Sequence, residues 1–129
     1  ETMTSDLPIK IKTTGAVVLT EELRSFIAEK VGKLSKLLDA SDTSALAEVE
    51  VESIADSRDG DVYRAELNIS VAGGFVRAEA KRVTLHAAVD EAVAEARRAL
   101  RKARTKHRDL VRQGAAQVKE FFRKLGGGA

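Results

Sequence analysis

The sequence predicts an α+β domain of order β-α-β-β-β-α: a four-stranded sheet with two helices packed on one face. Two patterns predict it. Four segments alternate apolar and polar side chains with a period of two, the mark of strands wet on one side. Two others repeat apolar residues at helical spacing. Each strand has a single apolar face, so both helices belong on that face.

Residues 1–8 are polar, end in Pro8 and read as a flexible leader. Ile9-Lys10-Ile11-Lys12 alternates as a short strand, which Gly15 ends. Thr20 is a suitable N-cap, and Glu21 and Glu22 complement the positive end of a helix dipole. Leu23, Phe26, Ile27, Val31, Leu34 and Leu38 then follow at helical spacing, so the first helix should end near Asp39–Ser41. Lys30, Lys33 and Lys36 form an outer stripe that drifts slowly around that helix.

The second strand spans Ala45–Ile54, with Ala45, Ala47, Val49 and Val51 opposite Glu48, Glu50 and Glu52. Residues 57–61 form a turn. Val62–Val71 repeats the alternation, with Tyr63, Ala65, Leu67, Ile69 and Val71 inward. Gly73-Gly74 signals a tight turn, and Phe75–Lys81 returns as the fourth strand. The outward faces carry both acids and bases, which can pair across strands. Thr84 caps a long second helix with Leu85, Val89, Val93, Ala96, Leu100 and Ala103 as its buried stripe. Gly114 can end it. The domain thus covers 9–112, and 113–129 is an extension: a short amphipathic helix with Val118, Phe121, Phe122 and Leu125, then a flexible glycine tail.

A chain of 129 residues, 43% hydrophobic and 33% charged, is one compact domain. With no cysteine it can form neither a disulfide nor a thiolate zinc site. No apolar run approaches the ~20 residues that cross a bilayer. The start, Glu1-Thr2-Met3, lacks the layout of a secretion signal. A cytoplasmic protein with no membrane partner is expected.

Charge is distributed unevenly. Residues 1–96 carry 11 Lys/Arg against 18 Asp/Glu, a net −7, while 97–129 carry 11 against two, a net +9. From Arg97 to Arg108 there are seven Lys/Arg and His107, with no acid. A solvated helix face normally mixes signs to gain i,i+4 pairs, so this stretch points instead to a polyanion. On a helical wheel, Arg97, Arg101, Arg104, Arg108 and Arg112 flank the buried stripe, and Arg98 and Lys102 lie further round.

Catalysis finds little support. His86 and His107 are the two near-neutral bases, and no H-x-x-H or H-E-x-x-H spacing offers a metal site. His86 reads as a packing or capping residue. The glycine pairs lack the lysine and strand-loop-helix setting of a phosphate loop. No enzyme activity, metal, cofactor or small-molecule substrate is expected. Five aromatic residues, with Phe26 and Tyr63 in the core, leave phosphate and shape contacts to dominate RNA binding. Charge alone equally fits a general double-stranded-RNA or DNA binder.

Leu19-Thr20-Glu21-Glu22-Leu23-Arg24, Glu29-Lys30-Val31-Gly32-Lys33-Leu34, Gly73-Gly74-Phe75-Val76-Arg77-Ala78-Glu79, and Ala87-Ala88-Val89-Asp90 with Arg98, Arg101-Lys102 and Arg104-Thr105-Lys106 occur in that order. In this set, Ile9 to His107 resembles the ribosome hibernation-promoting factors, also called ribosome-associated inhibitors or ribosome subunit interface proteins, in their short form. The resemblance implies the same β-α-β-β-β-α fold, which is similar to a double-stranded-RNA-binding domain, and a partner, the small ribosomal subunit and its rRNA. It implies binding in the mRNA/tRNA decoding channel, inhibition of translation and protection of idle ribosomes under stress. Carried onto this chain, the rRNA contacts fall on Lys30 and Lys33, on Arg98, Arg101, Lys102, Arg104 and Lys106, and on Arg77 at the sheet. Helix geometry adds Lys36, Arg97, Arg108 and Arg112.

Two departures stand out. His86 occupies a position where the family usually has Tyr. The 23 residues after Lys106 match neither the short acidic tail of one subtype nor the linker and dimerisation domain of the long form. Self-association and ribosome pairing are left open.

Overall fold

The computed structural model describes residues 7–54, 62–72 and 74–126. Strand β1 spans Ile9–Thr14, helix α1 Glu21–Gly32 and a 3-10 turn Lys33–Leu37; β2 is Leu46–Ser53, β3 Tyr63–Val71, β4 Gly74–Arg82 and α2 Leu85–Gly126. The sheet order is β1-β2-β3-β4. β1 and β2 run parallel, and the other neighbours are antiparallel. A parallel pair needs a crossover, which α1 supplies. The expected turn at 57–61 lies outside the described residues, as does Gly73 of the Gly73-Gly74 turn.

One core joins both helices to a single face of the sheet. Ala47, Val49, Val51, Ala65, Leu67, Ile69, Ala78 and Ala80 meet Leu23, Ile27, Val31 and Leu34 and, from α2, Ala88, Val89, Ala92, Val93, Ala96 and Leu100. The alanines of α2 let it lie close to β3 and β4. Phe26 and Tyr63 are half-buried at the margin of this core. Leu7, which the sequence places in the leader, is also buried, and the Pro8 carbonyl accepts from Ala47 N–H at 2.9 Å. Proline lacks a donor but keeps this acceptor.

Local chemistry sets the boundaries. Thr20 Oγ1 accepts from Leu23 N–H at 3.1 Å, and Thr84 Oγ1 accepts from Ala87 N–H at 3.1 Å, so each threonine caps its helix. Gly15 ends β1 at φ +69°, and a Cβ there would lie 2.6 Å from Ser53 Oγ. That hydroxyl accepts from Ala16 N–H at 2.9 Å. Asp42 ties the loop before β2 to the end of β3, accepting from Ser44 N–H at 2.9 Å and Ala72 N–H at 2.8 Å. The Ala72 and Ser44 hydrogen bonds lower its pKa.

Three features differ from the sequence expectation. The first helix is not α-helical to Asp39: it tightens into 3-10 geometry at Lys33, which still buries Leu34. The second helix does not stop at Gly114, and the segment after it is no separate helix, because α2 runs unbroken to Gly126. Ala103 is exposed rather than core, because α2 has outrun the sheet by then; from Arg101 onward no described side chain is buried.

Gly114 is not required by packing. A Cβ added there meets nothing within 4 Å. Gly114→Ala should therefore stabilise the surrounding helix by about 1 kcal/mol, slowing amide exchange around residue 114 about fivefold. Unchanged exchange would contradict a continuous helix.

Candidate nucleic-acid interface

The basic residues are positioned by two helices that touch. Lys30, in the last turn of α1, pairs with Asp90 of α2 at 3.4 Å, and its Nζ lies 5.7 Å from the Phe26 ring centroid. The Phe26 ring also packs against His86 of α2, with centroids 4.3 Å apart. His86 Nε2 lies 3.0 Å from Glu22 Oε2. His86 therefore packs between the helices, as the sequence predicts, and Glu22 adds a polar partner that sequence spacing could not show.

These contacts orient the rest of α2. The helix turns about 100° per residue, so the flank carrying His86 and Asp90 toward α1 carries Arg97, Arg101, Arg104 and Arg108 in later turns. Arg112 lies just beyond. The row from Arg97 to Arg112 is about 22 Å long. Lys33 and Lys36 sit exposed on the 3-10 turn, which packs against α2. In 3-10 geometry residues i and i+3 eclipse, so these two lysines line up instead of drifting. Lys30 and the Arg97–Arg112 flank thus lie on the side of α2 that faces α1, and Lys33 and Lys36 are exposed on the adjoining 3-10 turn.

The other predicted residues are placed elsewhere. Arg98, Lys102 and Lys106 lie on the opposite flank of α2, in line with Glu91 and Glu95, which face β4. Arg98 pairs with Glu91 at 3.6 Å, as does Arg82 of β4 at 3.7 Å. Glu95 Oε1 accepts from the Glu79 N–H on this edge strand at 3.2 Å. Arg98 keeps 65% of its side chain exposed, so the long pair to Glu91 leaves it accessible.

Arg77 is not with the helices. Its side chain lies on the outer sheet face, bonded to Glu66. That face centres on Arg64, which binds Glu52 at 2.5 Å, Glu66 at 3.1 Å and Glu79, with Glu50 at 3.8 Å. Burial alone would lower the Arg64 pKa, but Glu79, Glu52 and Glu66 outweigh it and raise it. The hydrogen bond from Arg64 holds Glu79 below the usual glutamate range against the opposing effect of its burial. Glu50, Glu52, Glu66 and Glu79 are therefore used in holding strands together. Among the described residues, no group of three or more His, Asp or Glu is arranged to hold a metal ion, and no helix is long and apolar enough to cross a membrane.

Known proteins share this architecture. The model of the family described as "Sigma 54 modulation protein / S30EA ribosomal protein" matches residues 9–108. A ribosome hibernation promotion factor of Deinococcus radiodurans is 30% identical over 98 residues, which are 76% of this chain and 50% of that protein. The chain thus spans about half the length of that curated relative. The N-terminal domain of Thermus thermophilus Protein Y superposes with TM-score 0.62 at 23% identity, covering 74% of this chain and 97% of that one. A ribosomal subunit interface protein from Coxiella burnetii superposes with TM-score 0.58 at 15% identity, covering 75% and 97%. These two likenesses concern the fold, while the match over 9–108 concerns the sequence itself. The chain belongs to the Sigma 54 modulation protein / S30EA ribosomal protein family.

Proposed function

We propose that this chain is a non-catalytic, cytoplasmic ribosome hibernation factor that binds rRNA of the small subunit in the mRNA/tRNA decoding channel. By occupying the channel it inhibits translation and preserves idle ribosomes under stress. The observation that carries this reading is the set of cations on the two adjoining helical segments, Lys30, Lys33 and Lys36 on one and the Arg97–Arg112 flank on the other. Family membership and the name of the Deinococcus relative support the choice of ribosome over other polyanions. Arg98, Lys102 and Lys106 extend the basic arc, so α2 would be gripped on two sides, as a rod in a channel is. Arg77 contributes from the outer sheet face.

The mechanism is competitive. Guanidinium and ammonium groups on a pre-formed helix replace counterions on phosphates without a large ordering cost. Two consequences can be measured. Inhibition in a purified translation system should weaken when mRNA and tRNA are bound to the subunits first. Affinity for the small subunit should fall by about a thousandfold between roughly 50 and 200 mM salt if about six phosphates are neutralised. Inhibition indifferent to prior mRNA and tRNA would rule out a shared channel.

A further inference from the structure

Helix α2 carries a second surface that the RNA reading does not use. Beyond Leu100, Leu110, Val111, Val118, Phe121, Phe122 and Leu125 are each 55–66% exposed. At 100° per residue, these six fall within an arc about 120° wide. Isolated exposed apolar residues are ordinary, but six on one side of a helix within about four turns, Leu110 and Val111 followed across Gly114 by the group from Val118 to Leu125, mark a binding surface.

Charge says what fits there. Both borders of the arc are basic: Lys119 lies about 60° outside one edge and Lys124 about 40° outside the other. Arg112 and Arg123 lie about 80–100° out, and Arg123 pairs with Glu120. The two acids beyond residue 96, Asp109 and Glu120, lie about 20° and about 40° from the point opposite the centre of the apolar arc, farther from its edges than Lys119 and Lys124. A second copy would bring basic borders together with no border acid to answer them. The arc is also broader than the narrow seam of a paired coil. A flat anionic surface with an apolar interior answers both features, since Lys and Arg stems reach outward from an apolar layer to anionic groups.

We propose that residues 110–126 form an in-plane docking element for an anionic lipid surface. The six apolar side chains enter the headgroup boundary, the border cations meet lipid phosphates, and Glu120 stays on the water side. The expectation of no membrane partner rests on the length needed to cross a bilayer, a requirement that a helix lying in the surface plane does not have. The element is independent of the ribosome reading, sharing with the basic surface only Arg112.

The test is flotation of the full chain with vesicles of equal parts phosphatidylglycerol and phosphatidylcholine, and with phosphatidylcholine alone. The chain should float with the anionic vesicles and not with the neutral ones. Phe121→Ser/Phe122→Ser should weaken partition by about tenfold or more while leaving small-subunit cosedimentation unchanged. Lys119→Glu/Lys124→Glu, which removes no apolar group, should weaken it too. An unchanged circular-dichroism spectrum verifies that each variant folds. The proposal is overturned if the wild type does not float, if it floats equally with both vesicles, or if the phenylalanine variant floats as well as the wild type. It is also overturned if the chain sediments as a dimer that the phenylalanine variant dissociates, since a second copy then covers the row.

Discussion

Replacing Arg98, Arg101 and Lys102 together with glutamate is expected to abolish cosedimentation with small ribosomal subunits, with an affinity loss on the order of a hundredfold or more. The three residues reach both flanks of α2, so a channel that surrounds the helix meets the reversal from either side. Each site changes from neutralising a phosphate to repelling one, and the salt dependence should flatten accordingly. Folding should be nearly indifferent, since all three side chains are exposed and the Arg98–Glu91 pair is long. The thermal midpoint should move by no more than about 0.5 kcal/mol implies. Retained binding would mean that RNA lies elsewhere; lost binding with a collapsed melt would mean that the variant tests only stability.

The second large effect concerns the opposite face. Arg64→Ala should destabilise the domain by about 2–3 kcal/mol at neutral pH, measured by urea unfolding. The register explains the size: Glu50 is directly opposite Glu66, and Glu66 directly opposite Glu79, so three glutamates sit in one row across three strands. Like charges so placed repel, and the Arg64 guanidinium holds them together. The loss is smaller than for a fully buried pair, because Glu52 and Glu79 are 34% and 44% exposed. Arg64→Lys should recover part of it, since an ammonium is a single point where the guanidinium forks to several carboxylates.

Acid should narrow the gap between wild type and Arg64→Ala. The folded-state pKa of Glu79 lies below its ordinary value of 4.5, chiefly through its hydrogen bond from Arg64. Its contribution is therefore complete above about pH 4.5 and is lost as pH falls through the lowered value. In the variant the unanswered carboxylates gain from protonation instead. A stability difference that stays constant from neutral pH into acid would show that Arg64 acts through packing of its stem rather than through charge.

The residues differ in how much of this was readable from sequence. Alternation with a period of two made the four strands and their inward faces legible whatever their partners, and apolar residues at helical spacing made both helices legible. It showed Arg64 among outward acids but not the Glu50–Glu66–Glu79 row, which depends on strand register. The 3-10 turn escaped notice because Leu34 is buried under either helical geometry; its consequence, the alignment of Lys33 with Lys36, is a matter of residues per turn. Gly114 reads as a stop, yet a helix with nothing packed against it tolerates glycine at the cost of local stability. Ala103 reads as core because its spacing is right, while the length of the sheet beneath it is written in other segments. Charge density marks the basic stretch from Arg97 onward and the resemblance marks Lys30, Lys33 and Arg77, but the separation of Arg77 from the helices needed the pairing of β4 with β3. His86 touches a helix 64 positions away, beyond the reach of spacing arguments.

The central claim is that the two-helix basic surface is fitted to the small ribosomal subunit and not merely to polyanions. Cosedimentation of the wild-type chain with small subunits at low salt, in the presence of excess plain double-stranded RNA, tests it most directly. The chain should stay with the subunits while the duplex competes weakly, and Arg98→Glu/Arg101→Glu/Lys102→Glu should stay in the supernatant. Displacement by the duplex in proportion to its phosphate concentration would contradict the claim and leave a general duplex binder.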